Sequence, residues 1–166
     1  MKKIWFVIIP TLFLVGCATA PVLSPMQIRS ITTKHIEASY DNIYRACIAV
    51  MQDQGYIIKN TDMNTGLIVA QVDREASKSS QFWQAFWAGA IYNKGTLVEV
   101  SCMVNKINDT SSDVRISIQE TRYNQFGGKV NIKQLYDEEL YKNLFNEILT
   151  EVKRREAIQG ISLEKK

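Results

Sequence analysis

Histidine is nearly absent: His35 is the one imidazole in 166 residues. A metal site built on paired histidines is therefore excluded, and no Cys-x-x-Cys spacing offers a thiolate alternative. His35 stands in a β-branched run and reads as a polar side chain on an edge strand rather than a catalytic base. Gly-x-Ser-x-Gly is missing, and so is any glycine-rich phosphate loop, which removes the hydrolase-elbow and nucleotide-cradle readings. No apolar run reaches the roughly 20 residues of a membrane-spanning helix. An excess of positive charge is also lacking. The net charge of +3 includes Lys2 and Lys3, and without them 18 basic side chains face 17 acidic ones. A nucleic-acid binder needs a strong basic surplus, so none is expected as a partner. The remainder, 46% apolar and 22% charged, is ordinary for one modest globular domain with a real core.

What is present begins at the N-terminus. Met1-Lys2-Lys3 is a basic start, and Ile4 to Val15 is an almost unbroken apolar run that is too short to span a bilayer. Small residues follow, the pattern of an export signal. Leu14-Val15-Gly16-Cys17 resembles the lipobox of bacterial lipoproteins. That resemblance implies cleavage between Gly16 and Cys17, and a covalent lipid on Cys17 as the chain's one non-protein group. No cofactor is expected. Two or three acyl chains hold essentially permanently, since each buried CH₂ contributes about 0.8 kcal/mol. Ala18 stands where inner-membrane lipoproteins commonly carry Asp, so the resemblance implies the outer membrane, facing the periplasm, or the cell surface in a single-membrane organism. Residues 17–30 contain Pro21 and Pro25 and read as a lipidated, extended tether spanning roughly 40 Å at full stretch.

Residues 31–158 read as a single α+β domain. Ile31 to Glu37 is β-branched and strand-like. Tyr40 to Gln54 carries Tyr40, Ile43, Tyr44, Cys47, Val50 and Met51 at helical spacing, with Ser39 as N-cap and Gly55 as its stop. Tyr56 to Asn60 and Leu67 to Glu75 form a hairpin across a turn-rich link. Thr96 to Ile107 and Val114 to Arg122 alternate apolar and polar residues, and a long helix is expected over Lys133 to Ala157. The expected fold is an antiparallel sheet of about four or five strands with two helices on one face. Residues 159–166 read as a loose tail.

Three features stand apart. Residues 76–95 place Phe82, Trp83, Phe86, Trp87, Ile91 and Tyr92 in eleven positions between two strands. This segment reads either as a lid on the core or as a patch contacting a partner or a membrane surface. Cys47 and Cys102 both fall on core faces. An oxidising compartment permits a bridge between them, and two buried thiols are the other outcome. Asp62-Met63-Asn64-Thr65-Gly66 opens like a calcium loop but lacks the later ligands, so turn chemistry explains it and no metal is expected. The acidic triplet Asp137-Glu138-Glu139 reads as support for a helix N-terminus.

The runs Tyr40-Asp41-x-x-Tyr44-x-Ala46, Gly55-Tyr56, Gly66-x-Ile68-x-Ala70 and Leu140-Tyr141-x-x-Leu144-Phe145-x-x-Ile148 resemble those of small bacterial envelope lipoproteins. The strand-helix-strands-helix layout is similar to the helix-grip domains of BamC-type lipoproteins. Such proteins are generally non-enzymatic. The resemblance therefore implies a non-enzymatic envelope lipoprotein that binds a protein partner, with a carrier of a small apolar ligand between helix and sheet as the alternative.

Overall fold

The computed structural model describes residues 23–73, 96–124 and 126–164, with side chains as far as residue 160. Its first element is a helix, α1 (Pro25–Thr32). Ser24 caps it: the hydroxyl accepts from the Gln27 N–H, and the Gln27 side chain accepts from the Ser24 N–H at 2.8 Å. Pro25 sits in the first turn, where its missing N–H costs nothing. The extended tether expected over residues 17–30 is thus corrected from Ser24 onward: one of the two prolines starts a helix.

Strand β1 (Thr33–Ile36) follows directly, then helix α2 (Tyr40–Asp53). The Ser39 hydroxyl caps α2 by accepting from the Asn42 N–H. Gly55, at φ 82°, takes the left-handed turn that ends it. Strands β2 (Ile57–Asp62) and β3 (Leu67–Asp73) make a hairpin with an irregularity between Ile58 and Asn60. Gly66 closes its turn at φ 78°, and a Cβ there would overlap the Val104 carbonyl. Backbone conformation and close approach therefore both demand glycine.

Strands β4 (Thr96–Lys106) and β5 (Ser112–Tyr123) are the backbone of the sheet, paired without a break from Thr96↔Arg122 to Lys106↔Ser112. Strand β6 (Lys129–Leu135) and helix α3 (Glu138–Glu164) complete the described elements. The sheet is antiparallel throughout, in the order β1-β5-β4-β3-β2. The length of β5 lets two strands share its outer side: β1 pairs with Ser112 to Arg115, and β6 with Ile118 to Tyr123.

The protein is an α+β fold with three helices and six strands among the described residues. One sheet face carries Ile68, Ala70, Val98, Val100, Cys102, Val104, Val114, Ile116 and Ile118, all buried. Against it pack Ile43, Cys47 and Met51 of α2 and Leu140, Leu144, Ile148 and Val152 of α3. Alternation along β4 leaves Leu97, Glu99, Ser101 and Met103 half-buried on the opposite face.

Three further expectations are corrected. Among the described residues the sheet has six strands, where about four or five were expected. Lys133 to Leu135 belong to β6 rather than to the last helix, because Asp137 is the true cap: its carboxylate accepts from the Leu140 N–H at 2.8 Å. Residues 159–164, expected to be part of a loose tail, are helical. Helix α3 runs to Glu164, and Gln159 exchanges side-chain hydrogen bonds with Asn42 at 2.8 and 3.0 Å.

Candidate functional site

Gly16 and Cys17 lie outside the described residues, as do Phe82, Trp83, Phe86, Trp87, Ile91 and Tyr92. Both ends of residues 74–95 are nonetheless fixed: Asp73 pairs with Leu97, and Thr96 pairs with Arg122. The β5–β6 connection, Asn124 to Gly128, lies at this same end of the sheet.

Cys47 and Cys102 are buried and unbridged, side by side between α2 and β4. The hydrogen bond between them and the burial around them hold the Cys102 thiol well above its ordinary range, so it is a poor nucleophile as it stands. His35 sits on β1 directly opposite Asp113, with Nδ1 2.8 Å from the carboxylate, and is more than half exposed. This is a cross-strand polar pair with no nucleophile attached to it. Asp62 accepts from the Asn64 N–H and the Thr65 hydroxyl, both at 2.9 Å, and these bonds hold its carboxyl below the usual range. The calcium-like run is thus a turn that consumes its own oxygens.

The space between helices and sheet is filled by the core side chains. The outer grooves among the described residues have mixed polar and apolar linings. One of 410 Å³ runs between α2 and α3, walled by Asp53, Gln54, Asn146, Glu147, Thr150 and Glu151 around a single Val50. Burial lifts the Glu147 carboxyl, a bond from Gln54 lowers it, and the nearby Asp53 charge raises it further.

The β5–β6 hairpin is different. Asn124 builds its turn, with its side-chain oxygen accepting from the Phe126 and Gly128 N–H groups at 3.0 and 2.8 Å. Gly127 takes φ 77°. The turn leaves Phe126 87% exposed. Along β6, Val130 and Ile132 are 65% and 53% exposed, and Tyr136 beyond its end is also solvent-facing. Four of the nine large exposed apolar side chains among the described residues thus fall within eleven positions. Register places Ile132 opposite Thr121 and Gln134 opposite Gln119, on the sheet face away from the helices. Asn131 and Lys133 pair with Arg122 and Glu120 on the helix side, and the register slips at Val130, so that Lys129 pairs with Tyr123. Six of the seven β6 residues are exposed, and β5 is its only strand partner among the described residues.

The C-terminal end of β6 is held by Tyr141 of α3. Its hydroxyl accepts from the Ile118 N–H at 3.2 Å and donates to the Leu135 carbonyl at 3.0 Å, bridging β5 and β6. Burial raises the phenol to about 12.

Residue-level reading of the sequence missed this hairpin. The signal was present: Gly127-Gly128 followed by Lys129-Val130-Asn131-Ile132-Lys133, alternating polar and apolar. No known protein-family model matches the chain, and no curated protein matches it as a relative. Among the described residues, no helix is long and apolar enough to cross a membrane.

Proposed function

We propose that this chain is a non-enzymatic envelope lipoprotein, held on the outer membrane by lipid on Cys17, whose folded domain binds a protein partner in an envelope assembly. The anchoring half of the reading rests on the basic start, the short apolar run and Leu14-Val15-Gly16-Cys17. The observation that carries the binding half is the β5–β6 hairpin, which turns Phe126, Val130 and Ile132 to solvent along an edge that no other described strand pairs. A buried core has no use for these side chains there, and isolated exposed apolar residues do not ordinarily cluster on one edge. The carrier alternative finds less support, since among the described residues core side chains fill the space between helices and sheet.

Two measurements test the reading. Mass spectrometry of the N-terminal peptide should find Cys17 acylated and the preceding residues gone; an unmodified Cys17 in membrane-derived protein refutes the anchor. A photo-crosslinker at Ile132, in cells of the native host, should yield one adduct of discrete mass. Its absence, with a folded and lipidated protein, refutes partner binding at the hairpin.

A further inference from the structure

We propose that Cys47 and Cys102 are the site of a covalent modification: the exported protein carries them joined as a disulfide that staples α2 to β4 through the core. This rests on the export reading above, which puts the domain in an oxidising compartment, and adds a bond that reading does not require.

Position picks out this pair. Of the three cysteines in the chain, Cys17 is taken by lipid in the proposed reading, so Cys47 and Cys102 have no competing thiol. Cys47 lies on the sheet-facing side of α2, one turn from Ile43 and from Met51. Cys102 lies on the helix-facing side of β4, between Val100 and Val104 and opposite Ile68 and Ile116 of the neighbouring strands. All of these side chains are buried, and both cysteines are 0% exposed. Within that apolar surround the two thiols share a hydrogen bond. The side chains therefore already meet across the α2–β4 interface. A bridge needs the sulfurs to close from hydrogen-bond contact to about 2 Å. The structure holds the pair reduced, the form from which closure starts.

The chemistry is thiol–disulfide exchange with a donor protein that presents a reactive disulfide. The thiolate of one cysteine attacks a donor sulfur, forming a mixed disulfide and freeing the donor's other thiolate. The thiolate of the second cysteine then displaces the donor. The bridge is formed, the donor disulfide is reduced to a dithiol, and the two protons lost by Cys47 and Cys102 are balanced by the two the donor takes up. Burial sets the timing. In the folded domain neither sulfur is open to a donor, and the Cys102 thiol is held well above its ordinary range, which withholds the thiolate. Exchange therefore precedes the packing of α2 on the sheet, and the same burial afterwards shields the bridge from reduction. The closed loop contains Asp73 and Thr96, the two roots of residues 74–95. In the unfolded chain the bridge constrains this loop, which favours the folded state.

The test uses the full-length protein in its native host. Cells are lysed directly into denaturant with excess alkylating reagent, so that bridges formed after lysis do not count. Mass spectrometry should find neither Cys47 nor Cys102 alkylated, and should find their two tryptic peptides joined; reduction before alkylation should label both. In purified protein held in detergent, reductant should lower the melting temperature by roughly 10 °C. Cys47→Ala should melt below wild type without reductant, and the gap should shrink when reductant is added. If that variant does not fold, the wild-type alkylation pattern decides alone. Two alkylated thiols in unreduced protein overturn the proposal, as does either cysteine joined to glutathione or to a second chain. A wild-type melting temperature indifferent to reductant overturns the stapling role. Cys17 is read in the same spectra. An acylated Cys17 with two alkylated thiols sinks the bridge and leaves the anchor standing. A bridge with unmodified Cys17 does the reverse, and alkylated thiols with unmodified Cys17 sink both.

Discussion

Tyr141→Phe isolates the join between β6 and α3. The ring is 1% exposed and stays in place, so the core loses no volume. Only the hydroxyl goes, and it serves two buried backbone groups: the Ile118 N–H at 3.2 Å and the Leu135 carbonyl at 3.0 Å. A buried polar group left without a partner costs about 1–3 kcal/mol, the donor more consistently than the carbonyl. Partial closing of the ladder between Ile118 and Leu135 recovers some of this, so a loss of about 2 kcal/mol is expected. For a chain of this size that lowers the melting temperature by roughly 5–10 °C. Urea unfolding followed by circular dichroism should show a lower midpoint and an unchanged slope. A second arm uses pH. The Tyr141 phenol is raised from 10.0 to about 12 in the folded state, so the neutral form is favoured by folding. Its contribution is complete below pH 10 and is lost as pH rises from 10 to 12. The wild-type protein should lose stability faster than the variant across that window. A variant within about 0.5 kcal/mol of wild type at pH 7, with the same slope, would refute the bridging role of the hydroxyl.

Gly66→Ala should cost at least about 2 kcal/mol by the same urea assay, since it combines a left-handed backbone with overlap on the Val104 carbonyl. Gly160→Ala, in α3 with open space around it, should instead stabilise by about 0.5 kcal/mol; destabilisation there would contradict the helix at that position. Glu147→Gln should raise the melting temperature at pH 7. The folded carboxyl is raised above its unfolded value, so its favourable contribution is present at low pH and lost as pH rises through the folded value. The gain should vanish below about pH 4, and an equal gain at both pH values would point to a cause other than ionisation.

Helix α2 was readable because several local signals agree on it. Its apolar stripe has the helical period, Ser39 caps it and Gly55 stops it, and Ile43, Tyr44, Cys47, Val50 and Met51 of the stripe are buried, joined by Asn42 and Ala46. β4 and β5 were readable because one face is buried, so alternation is enforced along eleven paired positions. Helix α1 carried an equally local signal, Ser24-Pro25-Met26-Gln27, a capping box with proline at its start. Two prolines four residues apart suggested an extended chain, and the role of proline at a first helical turn was overlooked. The boundary between β6 and α3 failed for another reason. Lys133-Gln134-Leu135-Tyr136 are acceptable in either conformation, and only the Asp137 cap separates them.

The hairpin escaped notice because its defining property is a relation between distant residues. Val130 and Ile132 flanked by lysines look like any solvated stretch until β5 is known to lie on one side and, among the described residues, no strand on the other. Aromatic density pointed instead to residues 82–92, whose roots at Asp73 and Thr96 share an end of the sheet with Phe126. Edge status is a matter of topology, and local composition does not report it. The lysines did carry information: on an edge strand they oppose self-pairing.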